Sequence, residues 1–186
     1  GIADAMNETR RLKKMINDLL TLTKEDYVDL VTKEEVDLEA LVKDICDDFF
    51  DIAMIQNKTL KISSQLKHKN ILSDKNKLRQ LFIIFIDNAF KYTEEDDYIK
   101  ISLSEKDEKI YIKIEDNGLG IKKEELPHLF DRFFRSENVR NKDIDGSGIG
   151  LSIAKVISES LKYKLKVDSE YGKWTKFEII IPIDED

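Results

Sequence analysis

Three polar side chains stand close together at the end of an apolar segment, at a spacing that could serve phosphate chemistry. Asn88, Lys91 and Tyr92 fall at positions i, i+3 and i+4, so in a helix they share one face. An amide oxygen suits Mg²⁺, a hard cation that usually keeps several of its waters, and a lysine one turn later can reach a phosphate. An ordinary solvated helix end would contain the same residue types, and this pattern alone does not choose between them.

A carboxylate followed by two glycines forms the second candidate. Asp116, Gly118 and Gly120 follow an alternating apolar segment, so the carboxylate would stand at the end of a strand. There it could accept a hydrogen bond from the exocyclic amine of a base lying over the turn. Taken alone, the segment is more typical of a simple Asp-Asn-Gly turn, which needs no ligand.

A glycine-rich loop before a helix forms the third candidate. Its residues are Gly146, Ser147, Gly148, Ile149, Gly150 and Leu151. Glycines let a backbone approach a ligand closely, and a helix N-terminus favours phosphate. The G-x-G-x-G spacing without a long preceding strand is not a dinucleotide fingerprint, and the Gly-Lys-Ser/Thr of a P-loop does not follow. Taken alone, such a loop is more often a turn than a phosphate site.

Periodicity predicts the elements that would position these groups. Helical spacing predicts helices over residues 2–30, 38–56, 75–92 and 147–161, with a short helix at 122–126. Alternation predicts hairpins of 98–104 with 109–115 and 163–169 with 174–182, short strands at 60–64 and 70–73, and a possible edge strand at 33–37. The third helix, capped by Asp74, is apolar on most sides and should be central and buried. The prediction is an α+β fold, a two-layer α/β sandwich preceded by a long helix, with a mobile polar loop at 136–146.

The first helix has an apolar seam that needs a partner. The seam residues at heptad spacing are Ala5, Thr9, Leu12, Ile16, Leu19 and Thr23. The length of the seam and its position at the terminus favour a helical hairpin or dimer bundle over packing on the chain's own domain. The sequence begins within this helical pattern, so we expect it to be a piece of a longer protein.

Composition narrows the class of protein. The 186 residues carry a formal net charge of -7, and a basic balance typical of nucleic-acid binders is missing. Cys46 is the single cysteine, so no internal disulfide is possible and a reducing compartment is expected, with Cys46 an inert core thiol. No apolar run approaches the roughly 20 residues that span a bilayer. We expect a cytoplasmic domain of a protein that is membrane-anchored at full length.

Taken together and in order, these segments resemble a known family. With the Phe130–Arg135 segment (FDRFFR), they look like the N, G1, F and G2 boxes of the catalytic domain of bacterial sensor histidine kinases, which have the Bergerat ATP-binding fold. The resemblance covers about residues 36–182. It implies that residues 33–186 are an ATP-binding catalytic domain and that residues 1–32 are the second helix of a dimerisation bundle.

The resemblance also implies roles for individual residues. Asn88 would ligate Mg²⁺, Lys91 would contact phosphate beside the pocket residue Tyr92, and Asp116 would take the adenine amino group. Arg132 and Arg135 would be the F-box arginines, and residues 136–145 the ATP lid. The other positions implied to contact ATP are Gly118, Gly120, Ile121, Gly146, Ser147, Gly148, Ile149, Gly150, Leu151 and Thr175.

The implied reaction is transfer of the γ-phosphoryl group of ATP to a histidine on the first bundle helix, which this sequence does not contain. The implied partners of the full-length protein are ATP with Mg²⁺, that bundle helix, a response regulator and a second copy of the chain, with no nucleic acid. The phosphoaccepting motif is missing, since His68 falls in a predicted loop and His128 leads into the F box.

Two further departures keep alternatives open. Ile84 stands where the family usually has a second asparagine, and Trp174 in the Gly172–Thr175 turn could crowd the final glycine box. The alternatives are a nucleotide-binding regulatory module with little kinase activity and a Bergerat-fold ATPase or serine kinase of different chemistry.

Overall fold

A computed structural model describes residues 1–27, 30–135 and 150–183, with the side chains of 17–27 left undescribed. The described α-helices are α1 (Ile2–Tyr27), α2 (Leu38–Ile55), α3 (Lys75–Lys91) and α4 (Gly150–Leu161), and Lys123–His128 is a 3₁₀ helix. The strands are β1 (Glu34–Asp37), β2 (Thr59–Gln65), β3 (Asn70–Ser73), β4 (Tyr98–Lys106), β5 (Lys109–Asp116), β6 (Lys164–Glu170) and β7 (Trp174–Pro182). The polar loop predicted to be mobile and the start of the fourth predicted helix, residues 147–149, lie outside the described residues.

The main sheet has five strands in the order β2-β4-β5-β7-β6, and α2, α3 and α4 pack against it. β2 runs parallel to β4, and the other neighbouring pairs are antiparallel. β1 and β3 pair separately as a two-stranded sheet. The α+β sandwich expected from the sequence is confirmed, and both predicted hairpins are present.

The core is built around α3 because this helix is apolar on the sides that meet the sheet and the other helices. Phe85 contacts Phe177 of β7, with ring centroids 5.0 Å apart, and Phe90 stacks on Phe49 of α2 at 5.3 Å. Ile83 faces outward and is 38% exposed. The buried apolar residues of α3 are Leu78, Leu81, Phe82, Phe85, Ile86, Ala89 and Phe90.

Helix α1 has two different faces. It packs against α4, with Met15 against the core and Arg11 half-buried. The seam residues Leu12 and Ile16 stay 48% and 57% exposed. Packing on the chain's own domain therefore leaves Leu12 and Ile16 of the seam largely uncovered. In the part of the chain that the structure describes, no helix is both long enough and apolar enough to cross a bilayer.

The start of α3 depends on one carboxylate. Asp74 accepts hydrogen bonds from the backbone N–H of Lys77 at 3.1 Å and from that of Thr32 at 3.0 Å, so it joins the helix to the segment before β1. Asp37 caps α2 through one such bond, from Ala40 at 3.0 Å.

We expect Asp74→Ala to lower the free energy of unfolding by about 1–2 kcal/mol, because it removes a helix cap and a tertiary hydrogen bond. Urea denaturation followed by circular dichroism would measure this, with Asp37→Ala as the matched control that removes a cap alone. An equal loss in both variants would show that the bond to Thr32 contributes nothing.

Candidate functional site

The buried carboxylate of Asp116 is the deepest group of the site. Asp116 ends β5 and is 4% exposed, and its Oδ1 accepts a hydrogen bond from the backbone N–H of Gly118 at 2.9 Å. Burial raises the pKa of Asp116 to about 7, and the nearby charge of Asp97 also raises it, while the Gly118 hydrogen bond and Lys58 lower it. A carboxylate so poorly hydrated is a strong acceptor for a donor brought by a ligand.

The loop after Asp116 is pressed between two other parts of the backbone. A Cβ at Gly118 would lie 2.2 Å from the carbonyl oxygen of Tyr92, and one at Gly120, whose φ is +68°, would lie 2.3 Å from that of Glu170. The N–H of Leu119 donates to the same Tyr92 oxygen at 3.0 Å. Both glycines are therefore required, because the loop joins the end of α3 to the β6–β7 turn.

Ser169 holds the far side of this loop and was not predicted from the sequence. Its Oγ accepts from the N–H of Ile121 at 2.8 Å and donates to the carbonyl of Trp174 at 2.7 Å. Thr175 is buried beside it and pairs in register with Asp116 across β5 and β7. A serine in an alternating strand gives no sequence signal for such a role, since its partner Ile121 lies 48 positions away in the chain.

Lys58 is a second group that sequence reasoning missed. Its Nζ donates to the carbonyl of Phe90 at 2.6 Å and lies 5.8 Å from the centroid of that ring. Burial lowers the pKa of Lys58, and the charges of Asp97, Asp116 and Glu94 raise it. The lysine therefore ties the end of α3 to the turn before β2 and places a positive charge near Asp116.

The polar residues at the end of α3 face a cavity of about 70 Å³. Asn88 is buried, and the Lys91 ammonium forms an ion pair with Asp87, Nζ to Oδ2, at 2.9 Å. The predicted residues Asn88, Lys91, Tyr92, Gly150 and Leu151 share this cavity with Lys14, Ile84, Asp87, Leu129 and Phe134.

A second cavity, of about 40 Å³, adjoins the first and lies beside the loop after Asp116. Its walls include the predicted residues Tyr92, Gly120, Ile121, Arg135, Leu151 and Thr175. Tyr92, Leu129, Phe134 and Leu151 line both cavities, so the two are halves of one cleft. Burial raises the pKa of Tyr92, while the charge of Arg135 lowers it.

The cleft thus brings together predicted residues from five separate segments of the sequence, 88–92, 120–121, 135, 150–151 and 175. Arg135 stands at the Asp116 end of the cleft, and Arg132 is exposed on the same loop. The predicted residues Gly146, Ser147, Gly148 and Ile149 lie outside the described residues.

The sequence that forms this cleft matches a known protein family. Residues 73–185 match the family described as histidine kinase-, DNA gyrase B-, and HSP90-like ATPases. The chain is a member of it. The resemblance inferred from the motifs is confirmed.

Similar proteins of this family are sensor kinases. Sensor protein CiaH of Streptococcus pneumoniae is 34% identical over 184 residues, which make up 98% of this chain and 41% of CiaH. The histidine kinase AdeS of Acinetobacter baumannii has a similar fold, with a TM-score of 0.76, 24% identity and coverage of 99% of this chain and 84% of that one. The histidine kinase ThkA, in a complex with the response regulator protein TrrA, also has a similar fold. Its TM-score is 0.78 at 20% identity, with coverage of 96% of this chain and 49% of that one. The chain spans about two fifths of the length of CiaH.

The two departures from the kinase family pattern have different structural settings. Ile84 faces the cavity at the end of α3, with its Cγ2 atom 3.9 Å from where a Cβ on Gly150 would lie, so this wall is apolar. Trp174 donates from its indole N–H to Glu170 at 3.3 Å, and a Cβ on Gly172 would meet nothing within 4 Å. The turn at Gly172 is therefore not crowded.

The histidines and the cysteine lie apart from the cleft chemistry. His68 and His128 are exposed and pair with Glu105 at 2.9 Å and Asp131 at 3.1 Å. Burial raises the pKa of Cys46 to about 12, so the thiol stays protonated and inert. Among the described residues, no three His, Cys, Asp or Glu side chains are grouped as a metal site.

The raised pKa of Asp116 makes stability depend on pH. The folded chain keeps the Asp116 proton up to a pH of about 7, whereas the unfolded chain releases it near its ordinary value of 3.8, so stability falls as pH rises between these values. Above a pH of about 7 Asp116 is ionised in the folded and the unfolded chain, and the full free-energy cost of burying its charge remains.

We therefore expect Asp116→Asn to stabilise the chain relative to wild type by roughly 2–4 kcal/mol at pH 8 and by much less at pH 4. The amide oxygen can still accept from Gly118. Urea denaturation at both pH values would measure the difference, with the exposed Asp107→Asn as control. A gain that is the same at both pH values would contradict the assigned pKa.

Proposed function

We propose that this chain binds ATP with Mg²⁺ in the cleft and, within the full-length protein, transfers the γ-phosphoryl group to a histidine on a bundle helix outside this sequence. The observation that carries the proposal is the buried carboxylate of Asp116, whose register partner Thr175 lines one end of a cleft that holds Asn88 and Lys91 at its other end. The spacing of these groups along one cleft suits a base at one end and a polyphosphate at the other.

The Asp116 end suits adenine. The carboxylate would accept a hydrogen bond from the exocyclic amino group of adenine, while Thr175, which pairs in register with Asp116, borders the same part of the cleft. Guanine presents a carbonyl oxygen at the corresponding position, and two acceptors facing each other in a desolvated site repel. Adenine selectivity is therefore expected.

The α3 end suits a magnesium-bound polyphosphate. Lys91 supplies a positive charge, and the N-terminal N–H groups of α4, which begins at Gly150, offer donors and the positive end of the helix dipole. The amide oxygen of Asn88 fits a cation that takes few protein ligands and keeps its waters and phosphate oxygens. When bound, Mg²⁺ would neutralise the charge that develops on the transferring phosphoryl group. The protein's own part is positioning and charge neutralisation.

The cleft must widen to accept a nucleotide. Its halves measure about 70 and 40 Å³, whereas sites for drug-sized ligands hold about 300 Å³ or more. Phe134 lines both halves, and Phe133 beside it has a φ of +66°, a strained conformation for a bulky residue. Movement of this segment away from Tyr92 would join the two halves and relieve the strain.

The partners of the full-length protein follow from the same proposal. They are the bundle helix carrying the phosphoaccepting histidine, a response regulator and a second copy of the chain, with a membrane anchor elsewhere in the protein. The complex of ThkA with a response regulator supports the second of these. The exposed seam at Leu12 and Ile16 supports helical pairing.

We expect Asp116→Asn to weaken ATP binding about 10- to 100-fold, since a charge-assisted hydrogen bond is lost. Isothermal titration calorimetry with ATP and ADP, with and without Mg²⁺ and with GTP as the control nucleotide, would measure it. Because the same variant should be more stable than wild type, weaker binding could not be blamed on unfolding. Unchanged affinity would contradict the role given to Asp116.

Ile84 favours a second candidate function, a nucleotide-binding regulatory module with little kinase activity. An isoleucine side chain at the metal end can neither ligate nor polarise, so catalysis could be lost while binding is kept. Phosphoryl transfer to an added bundle carrying the histidine helix separates the two functions, because only a kinase would label it. Rapid ATP hydrolysis without any acceptor would instead indicate an ATPase.

We expect Ile84→Asn to strengthen the Mg²⁺ dependence of ATP binding by about 3- to 10-fold, because a second amide oxygen would face the metal. The ratio of ATP affinities with and without Mg²⁺ would report it, and Ile83→Asn on the outward side of α3 is the matched control. An equal change in both variants would show that Ile84 does not face the metal.

A further inference from the structure

Helix α1 places a lysine at the phosphate end of the cleft. Lys14 lines the same cavity as Asn88 and Lys91 of α3 and Gly150 at the start of α4. The sequence motifs of the cleft all lie beyond residue 80, and Lys14 stands more than 60 positions before them in the chain. The lysine reaches the cavity because α1 packs along α4, whose N-terminus forms part of the same wall.

The position of Lys14 is fixed by its neighbours on the helix. Arg11, Lys14 and Met15 fall at i, i+3 and i+4 and therefore share one side of α1. Met15 packs against the hydrophobic core and Arg11 is half-buried, so this side faces the domain. Lys14 itself is exposed, as a side chain at the mouth of a cleft must be to meet a ligand from solvent.

The charges around the cavity give Lys14 a specific effect. Lys91 forms an ion pair with Asp87 at 2.9 Å on one side of this cavity. Lys14 adds a positive charge to the same cavity wall. A polyphosphate gains most from this charge where its own negative charge is greatest, which is at the terminal phosphate.

We propose that Lys14 is a nucleotide-positioning residue, contributed by the preceding helix, that favours a nucleoside triphosphate over the diphosphate in this cleft. The inference rests on the proposed function, since it assigns the phosphate end of the same site. Its consequence is that the docking of α1 depends on whether the bound nucleotide is a triphosphate or a diphosphate. By reciprocity, any preference of the docked helix for the triphosphate means that the triphosphate holds the helix in place by the same factor.

The test compares nucleotide affinities of three variants of the whole chain by calorimetry in the presence of Mg²⁺. We expect Lys14→Gln to weaken ATP binding about 3- to 10-fold and to change ADP binding less than about 2-fold, as for a partly exposed charge near phosphate. Lys14→Arg keeps the charge and should keep the ATP preference. Lys13→Gln, which removes the same charge at the adjacent exposed position, should leave both affinities unchanged.

The difference for Lys14→Gln should also shrink at high salt, since exposed charges are screened. Equal loss of ATP affinity in Lys13→Gln and Lys14→Gln would overturn the proposal, because it would reveal a general charge effect. Equal loss of ATP and ADP affinity in Lys14→Gln would overturn it too, because the lysine would not sense the terminal phosphate. If the wild-type chain bound no adenine nucleotide, the proposed function would fail, whereas normal wild-type binding with an unaltered Lys14→Gln would remove this inference alone.

Discussion

The structure depends on α3 being apolar enough to form the core and polar enough at one end to form the site. Phe82, Phe85 and Ile86 are almost completely buried, and this burial anchors the helix against the sheet, α2 and α4. Because the anchor is rigid packing rather than a loop, Asn88 is held in one place at its end. The cleft is therefore an extension of the core, and a change in core volume would move its polar groups.

The burial of the Asp116 carboxylate serves the site but lowers the stability of the fold. Burying it costs free energy of folding, and the surroundings offset only part of that cost through Gly118 and Lys58. The glycines beyond it let the loop lie against the backbone of Tyr92 and Glu170, and Asp116 remains only 4% exposed. Such a poorly satisfied group suits a binding site, because a ligand that supplies the missing donor recovers part of the cost.

The parts that could be predicted from the sequence are those set by local periodicity. The alternation of Ile99, Ile101 and Leu103 identified β4, and the apolar run of α3 with its cap at Asp74 identified the central helix. The order of the motifs identified the family, and the structure brings the polar end of α3 and the segment after β5 into one cleft. Described boundaries moved by up to three residues, as with α1, which ends at Tyr27, and β4, which continues to Lys106.

What could not be predicted are contacts between residues far apart in the chain. Ser169 accepts a hydrogen bond from Ile121, 48 positions earlier, and Lys58 reaches the end of α3, through bonds that leave no pattern in a linear sequence. The β4–β5 hairpin was predicted, but the conformation of its turn was not. Asp107 and Glu108 both have positive φ, 52° and 61°, without the glycine that usually marks such a turn. The face by which α1 docks could not be predicted either, because the heptad seam includes neither Arg11 nor Met15.

The uncovered seam of α1 means that this helix can belong to two assemblies at once. Met15 packs against the domain, whereas its neighbours Leu12 and Ile16 remain largely open to solvent. A second helix could pair along Leu12 and Ile16 while Met15 stays on the domain. The free energies of the two associations would then add. Because both contacts share one helix, a displacement of α1 in one association would be carried to the other.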